Sequence, residues 1–221
     1  MAIVLAELVA PGGHAARAAV VTSEIQNGVV GEDSALPALA EAARASMVPA
    51  VARLVAAARA AGAHVVHCTF ARRPDGLGAN ANARLFAATA RAPVQQLAGT
   101  PAVEVVEAVG VAPGDLVLTR SHGVGPMGGT DLDPVLRNLG VTTLVVAGVS
   151  VNVAITNLVM DAVNHGYQVV LPRDAVCGVP ADYADAVIDN TLALLATVTT
   201  TDEIAAAWAV PGNGTRGGGE P

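Results

Sequence analysis

The sequence predicts a three-layer α/β/α domain of the Rossmann-like type, built on a mostly parallel β-sheet. Short apolar runs alternate along the chain with longer stretches of helical periodicity, a pattern typical of repeated strand–helix–strand units. The runs are apolar at successive positions, as expected of parallel strands covered by helices on both faces. We expect right-handed crossovers and an active site at the carboxyl ends of the strands, where the strand order reverses.

The elements follow one another in a regular order. Strands are predicted at 18–24, 63–70, 115–119, 142–148 and 168–171, with a possible sixth at 197–200. Helices are predicted at 47–61, 102–109, 132–139, 152–165 and 183–195. Gly62 and Gly140 each follow one of these helices, as glycine commonly does at a helix end. The stretch 71–100, with a helical patch near Leu85, is long for a connection and is predicted to be a lid or substrate loop.

The composition indicates a single folded domain. Of 221 residues, 52% are hydrophobic and 14% charged, and the mean hydropathy is +0.51, so a large core is available and disorder is not expected over most of the length. We predict one domain over residues 1–210 and a flexible tail rich in glycine over residues 211–221.

Charge and hydropathy narrow the classes of partner. The net charge is −7, and all 12 basic residues are arginines, so a basic stripe for nucleic acid is not expected. No run is long enough to span a membrane, and the N-terminal apolar run is interrupted by Glu7 without a basic region before it. Two cysteines, Cys68 and Cys177, are too few for a disulfide scaffold. The sequence therefore predicts a cytoplasmic protein.

Polar residues follow the predicted strands, where an active site would lie. They are Glu24 and Gln26; Cys68, Arg72 and Arg73; Arg120, Ser121 and His122; Ser150 and Asn152; and Arg173, Asp174 and Cys177. Glu24 and Arg120 would share one cleft, either as a structural ion pair or as reacting groups. Burial favours a neutral carboxyl and a guanidinium favours a charged one, so their balance sets the protonation state of Glu24.

Two segments carry a resemblance to a known family. The first is AAVVTSEIQNGVV at 18–30, and the second runs from LTRSHGVGPMGGTDLDPVLRNLG through VAGVSVNVAITNLV to VLPRDAV at 118–176. In this order they resemble the linked motifs of the isochorismatase-like (cysteine hydrolase) family, over about residues 16–200. The resemblance implies the family's α/β/α fold.

The three positions of the family's Asp–Lys–Cys triad all differ here. By the resemblance, Glu24 stands at the aspartate position, Arg120 at the lysine position and Ala154 at the nucleophile position. Alanine cannot attack a carbonyl, so no acyl-enzyme is expected at that position. Arginine stays protonated and cannot shuttle a proton, although it can bind an anion through two hydrogen bonds.

The resemblance also implies a reaction without a covalent nucleophile. Family members that lack the cysteine, the isochorismatases, hydrolyse an enol ether with the first-strand carboxylate as the proposed proton donor. By this reading Glu24 is the acid or base and Arg120 the anion binder, acting on a small carboxylated substrate. Two alternatives are an amidohydrolase with its nucleophile displaced to Ser150, Cys68 or Cys177, and an inactive homologue that only binds ligand.

The turn before position 154 carries a further expectation. In the family this turn has a cis peptide, which would be Val149–Ser150 here, and backbone N–H groups that stabilise negative charge, which would be those of Ser150 and Ala154. The N-terminus of the following helix also favours negative charge. The alternative is that Ser150 merely caps this helix.

The remaining candidates concern substrate, metal and assembly. Substrate-binding residues are expected to be Gln26, Arg72, Arg73, His122 and Asn152. No metal or cofactor is expected: His64 and His67 point to opposite faces of a strand, and 70–75 lacks the Asp and His cluster of metal-binding relatives. The resemblance implies a homodimer or homotetramer.

Overall fold

The computed structural model describes residues 5–209 and shows a parallel β-sheet of seven strands. The strands are β1 (Ala18–Ser23), β2 (His64–Phe70), β3 (Leu116–Arg120), β4 (Thr143–Val149), β5 (Gln168–Pro172), β6 (Val176–Cys177) and β7 (Thr197–Thr199). Their order is β3-β2-β1-β4-β5-β7, and β6 pairs with the end of β4. The order reverses between β1 and β4, so the carboxyl ends of these strands mark the place where a ligand is expected.

Helices cover both faces of the sheet. They are α1 (Leu5–Val9), α2 (Asn27–Val30), α3 (Pro37–Ala42), α4 (Val48–Ala61), α5 (Arg84–Thr89), α6 (Leu132–Asn138), α7 (Thr156–Asn164), α8 (Ala181–Asn190) and α9 (Thr201–Ala209). The α1, α3, α4 and α9 helices pack into one core cluster, and α6, α7 and α8 pack into the other. This arrangement is the predicted three-layer α/β/α fold.

The central strands supply both core layers. In β1, Val20 packs into the cluster that contains α4, whereas Ala19 and Val21 pack into the cluster that contains α7. Val145 and Val146 of β4 divide in the same way. Because successive side chains of a strand point to opposite faces, a strand buried on both sides is mostly apolar at successive positions.

The helix predicted at 102–109 is wrong. This segment holds only a short 3-10 turn, Pro101–Val103, and then runs as a loop. Val106 N–H donates to the Ile25 carbonyl, and Val105 forms an antiparallel bridge with Gln26. Backbone pairing with the chain after β1 therefore prevails over the local helical spacing.

Other predicted elements are present with different ends. The helix predicted at 183–195 is α8 followed by a 3-10 turn, Leu192–Leu194, and the possible strand at 197–200 is β7. The helix predicted at 47–61 is α4. The helix predicted at 152–165 is α7, which is preceded by a π-helical segment, Val151–Ile155. The β6 strand and the α1, α2, α3 and α9 helices were not predicted. The tail predicted at 211–221 lies outside the described residues.

Gly148 allows the ends of β1 and β4 to lie close together. Its φ is 111°, a value that side chains rarely allow, and a Cβ there would collide with the backbone oxygen of Ser23. Since Ser23 precedes Glu24 and Gly148 lies two residues before Ser150, this contact sets the spacing between the two chain segments.

We expect Gly148→Ala to lower the free energy of unfolding by about 2 kcal/mol or more, because it adds a backbone collision to an unfavourable φ. Gly62→Ala is the matched control: its φ is 78° and nothing lies within 4 Å of the added Cβ. Urea unfolding of both variants measures the difference. Equal losses in the two variants would contradict the role assigned to the close approach.

A buried polar cluster surrounds His67 of β2. His67 is 0% exposed, its Nδ1 lies 2.9 Å from Thr22 Oγ1, and its Nε2 lies 3.4 Å from a carboxylate oxygen of Asp115. Burial lowers the pKa of His67, although Asp115 opposes this effect. Burial by itself raises the pKa of Asp115, but hydrogen bonds from Arg59 and a backbone N–H outweigh it and hold the pKa below its ordinary value.

The lowered pKa of His67 predicts acid sensitivity. The unfolded chain binds this proton near the ordinary value of 6.5, so the contribution of His67 to stability is complete above that pH. It is lost as the pH falls from there toward the lower folded pKa. We expect His67→Asn, which can keep the bond to Thr22, to flatten the decline in unfolding free energy between about pH 7 and pH 5. His14→Asn, at an exposed histidine, is the control and should decline as the wild type does.

Candidate active site

A cavity of about 110 Å³ opens at the carboxyl ends of the strands. It lies between the ends of β1 to β4, the π-helical segment before α7, and α5, which comes from the predicted lid stretch 71–100. Most of its walls are apolar, and they include Val29, Leu39, Phe70, Leu85, Phe86 and Val149.

Glu24 and Arg120 meet inside this cavity. Arg120 is the last residue of β3 and Glu24 follows β1, so the two side chains come from strands on either side of β2. Arg120 Nη2 donates to Glu24 Oε1, and the side chains are 5% and 19% exposed, respectively. Glu24 also has a φ of 53°. A non-glycine residue in this left-handed region is uncommon and is often found at functional sites.

The ring of Phe70 lies against Arg120, and the side-chain amide of Gln26 holds the backbone of Phe70 in place. Arg120 Cζ lies 5.2 Å from the centroid of the Phe70 ring, a distance typical of a cation–π contact. Gln26 accepts the backbone N–H of Phe70 at 2.8 Å and donates to its carbonyl at 2.9 Å. Gln26 is fully buried and does not line the cavity, so its contact with the site runs through Phe70.

Ser150 and Ala154 both line the cavity. The Val149–Ser150 peptide is cis, which confirms the expectation. Ser150 makes no side-chain capping bond, so the helix-cap alternative is wrong. The Ser150 carbonyl accepts hydrogen bonds from the N–H groups of Val153 and Ile155, at 3.1 and 3.0 Å. It accepts none from the N–H of Ala154, which lies between them in the chain. The bond from Ile155 spans five residues, as in a π-helix, whereas the bond from Val153 spans three.

The other predicted substrate-binding residues do not line the main cavity. Arg72 and His122 line a much smaller cavity beside it, on the other side of Phe70 and Phe86. Arg73 is 61% exposed and pairs with Asp75.

Asn152 lies at the rim. It donates to the Val179 carbonyl at 2.8 Å and lines a shallow apolar depression outside the cavity. Of the predicted site residues, the fold therefore brings Glu24, Arg120, Ser150 and Ala154 together.

The apolar walls are the part of the site that sequence reasoning missed. Phe70 and Phe86 are the two phenylalanines of the chain, and both line the cavity. In a chain with only 2% aromatic residues, their positions at a strand end and in the predicted lid were a usable signal. Val29 and Leu39 carried no such signal, because they resemble ordinary core residues.

Neither cysteine lines the cavity. Cys68 is buried, and burial raises the pKa of its thiol to about 12, although Arg120 acts in the opposite direction. Burial also raises the pKa of Cys177. Both sulfurs are therefore thiols at neutral pH, whereas nucleophilic attack requires a thiolate.

Residues 5–209 offer neither a metal site made of acidic, histidine or cysteine side chains nor a helix that could span a membrane. No group of three or more His, Cys, Asp or Glu side chains there is arranged to hold a metal ion. No helix in this part of the chain is both long enough and apolar enough to cross a membrane.

The fold and the cavity define an α/β enzyme-like domain with a small-molecule site at the reversal point of a parallel sheet. The isochorismatase domain model matches residues 18–203. The chain therefore belongs to the isochorismatase family, whose members are hydrolases.

Individual relatives agree with this assignment. The maleamate amidohydrolase of Pseudomonas putida is 30% identical over 129 residues, 58% of this chain and 59% of that protein, so the match spans about three fifths of the relative's length. The crystal structure of a cysteine hydrolase from Pseudomonas syringae pv. phaseolicola is 26% identical with a TM-score of 0.77, covering 87% of this chain and 92% of that one. An isochorismatase family protein from Desulfovibrio vulgaris is 29% identical with a TM-score of 0.75, covering 86% and 98%.

The buried ion pair makes a prediction about stability. Glu24→Gln leaves the charge of Arg120 unpaired, and Arg120→Met leaves that of Glu24 unpaired, so each should cost about 3 kcal/mol of unfolding free energy. The double variant buries no charge and should lose much less than the sum of the two single losses. A denaturant double-mutant cycle measures the coupling, and simple additivity would show that the two groups do not depend on each other.

Proposed function

We propose that this protein hydrolyses a C–O bond, of the enol-ether type, in a small carboxylated substrate, with no covalent intermediate. The observation that supports this proposal is the composition of the cavity. Among the described residues that line it, Glu24 and Arg120 are the only ionisable side chains, and no cysteine is present. A carboxyl group and a guanidinium can carry out acid catalysis and anion binding, but neither replaces a thiolate nucleophile here.

Glu24 acts as the general acid. Its carboxyl proton goes to the terminal carbon of the enol ether, which leaves an oxocarbenium ion at the carbon bearing the ether oxygen. Water adds to that carbon and returns a proton to Glu24, and the resulting hemiketal breaks down to an alcohol and a keto acid. One water is consumed and Glu24 ends in its starting state.

Arg120 binds the substrate carboxylate. Its Nε and Nη1 atoms are buried and have no hydrogen-bond partner among the described residues, so these two donors remain for an anion. A hydrogen bond from a guanidinium to a carboxylate is charge-assisted and about twice as strong as one between neutral groups. The ring of Phe70 against its face limits the orientations available to the group.

The turn at Ser150 and the apolar walls assist the reaction. The N–H of Ala154 makes no hydrogen bond to the Ser150 carbonyl. We assign it the role of donating a hydrogen bond to negative charge on the substrate, as in an oxyanion hole. Phe86 and Leu85 of α5 cover the cavity with apolar surface. Exclusion of water strengthens each electrostatic contact inside.

Hydrolysis of an amide is the second candidate. Two observations favour it: the Ser150 hydroxyl lines the cavity without a capping bond, and the maleamate amidohydrolase of P. putida is among the relatives. In this reaction Ser150 attacks the amide carbonyl, with Glu24 accepting the hydroxyl proton and passing it to the departing amine. Water then hydrolyses the ester.

One assay separates the two reactions. We expect purified protein to release pyruvate from isochorismate or a simpler carboxylated enol ether, as followed with a coupled dehydrogenase. Glu24→Gln should lower kcat by about 100-fold or more, since it removes the proton donor, whereas Ser150→Ala should have a small effect. Glu41→Gln, an exposed carboxylate of α3, is the matched control. Ammonia release from maleamate that is lost in Ser150→Ala would instead support the amidase, and ligand binding without either product would support a binding role.

A further inference from the structure

We propose that the cavity binds a monocarboxylate together with one proton taken up from solvent, and that Glu24 holds this proton in the complex. The inference rests on the proposed function only in taking the ligand to be a carboxylate. It concerns binding and does not require turnover.

The charges of the empty cavity already balance. Glu24 and Arg120 are paired, and no other described residue that lines the cavity is ionisable. A carboxylate ligand therefore meets no unpaired positive charge. If Glu24 stayed ionised, the complex would hold two carboxylates against one guanidinium among apolar side chains. In an environment of low polarity such an excess negative charge is costly, and carboxyl groups placed together share a proton instead.

Arg120 nevertheless has the capacity to accept the ligand. Its Nη2 donates to Glu24, while Nε and Nη1 have no partner among the described residues. One guanidinium can thus contact both carboxyl groups at once, and the arrangement is neutral if one of them is protonated. Glu24 is the better exposed member of the pair, at 19% against 5% for Arg120, so solvent can deliver the proton to it.

The titratable groups nearby do not supply this proton. Cys68, on β2, has a pKa raised to about 12 by burial and remains a thiol throughout the neutral range. His122, from the loop after β3, and Arg72, after β2, face the smaller cavity and are separated from the main one by Phe70 and Phe86. The lining residues of α2, α3, α5 and the π-helical segment are not ionisable. His122 is therefore the group to test as a control.

Proton uptake has a direct consequence for the proposed reaction. Hydrolysis of an enol ether requires Glu24 as an acid, but in the empty site its carboxyl group is paired with the guanidinium of Arg120. In the complex the substrate carboxylate takes part in that pairing, and Glu24 takes up the proton. The substrate then creates the acid that reacts with it, and a neutral analogue of the same shape does not.

Calorimetry with benzoate tests the inference. Benzoate joins one carboxylate to an apolar ring, which matches a cavity with one guanidinium and mostly apolar walls. Titrations in phosphate and in Tris, whose ionisation enthalpies differ, give the number of protons exchanged. We expect an uptake of about one proton per benzoate between pH 7 and 8.5, with Kd rising about tenfold per pH unit. Benzamide should bind with no proton uptake and with a Kd independent of pH.

Variants locate the proton. Glu24→Gln should bind benzoate at least tenfold more tightly than the wild type at pH 8, with no proton uptake, because glutamine is already neutral. His122→Asn should behave as the wild type does. Binding of benzoate to the wild type without proton uptake would overturn the inference, and so would equal uptake in Glu24→Gln or the absence of benzoate binding in both proteins. Turnover without proton uptake would overturn this inference alone, whereas uptake without turnover would sustain it and overturn the proposed catalysis.

Discussion

The ion pair between Glu24 and Arg120 is the interaction around which the site is organised. It joins the ends of β1 and β3 across β2, and it places two opposite charges in a cavity whose walls are mostly apolar. Such a pair is not a strong source of stability, because removing two charges from water costs about as much as their attraction returns. The pair matters because of where it holds the two charged groups. Each charge lies in the cavity, where its partner in the pair or a bound ligand can neutralise it.

Several parts of the structure maintain this position. Gln26 holds both backbone polar groups of Phe70, and the Phe70 ring lies against Arg120. Gly148 lets the end of β4 approach the end of β1, which brings the turn at Ser150 to the same cavity as Glu24. In the proposed reaction Gln26, Phe70 and Gly148 do not react with the substrate, and each sets the distance or orientation of a group that binds it or reacts with it.

The pairing of Glu24 with Arg120 connects the proposed binding of a carboxylate to the proposed proton transfer. A site with free positive charge would bind a carboxylate and leave its own acid ionised. Here the positive charge is already paired with Glu24, so in the proposed binding mode a second carboxylate competes for it and the proton moves to Glu24. The apolar walls strengthen this competition by keeping water, which would otherwise solvate the extra charge, out of the cavity. Under the proposed function, specificity for a carboxylate and protonation of Glu24 have one common cause.

The sequence by itself determined the fold class and the polar ends of the strands. The runs 18–21 and 144–149 contain no polar side chain because both faces of a parallel sheet are covered. Residues after parallel strands meet at one edge of the sheet, so Glu24, Arg120 and Ser150 could be predicted to share a site. Only the tertiary structure decided which other residues lie in the same cavity as Glu24, Arg120 and Ser150. Arg73 lies at the surface with Asp75, Arg72 and His122 lie behind two phenylalanines, and 102–109 pairs with the chain after β1 instead of forming a helix. Periodicity reports which face of an element is buried, whereas the direction of a loop side chain depends on contacts with residues far away in sequence.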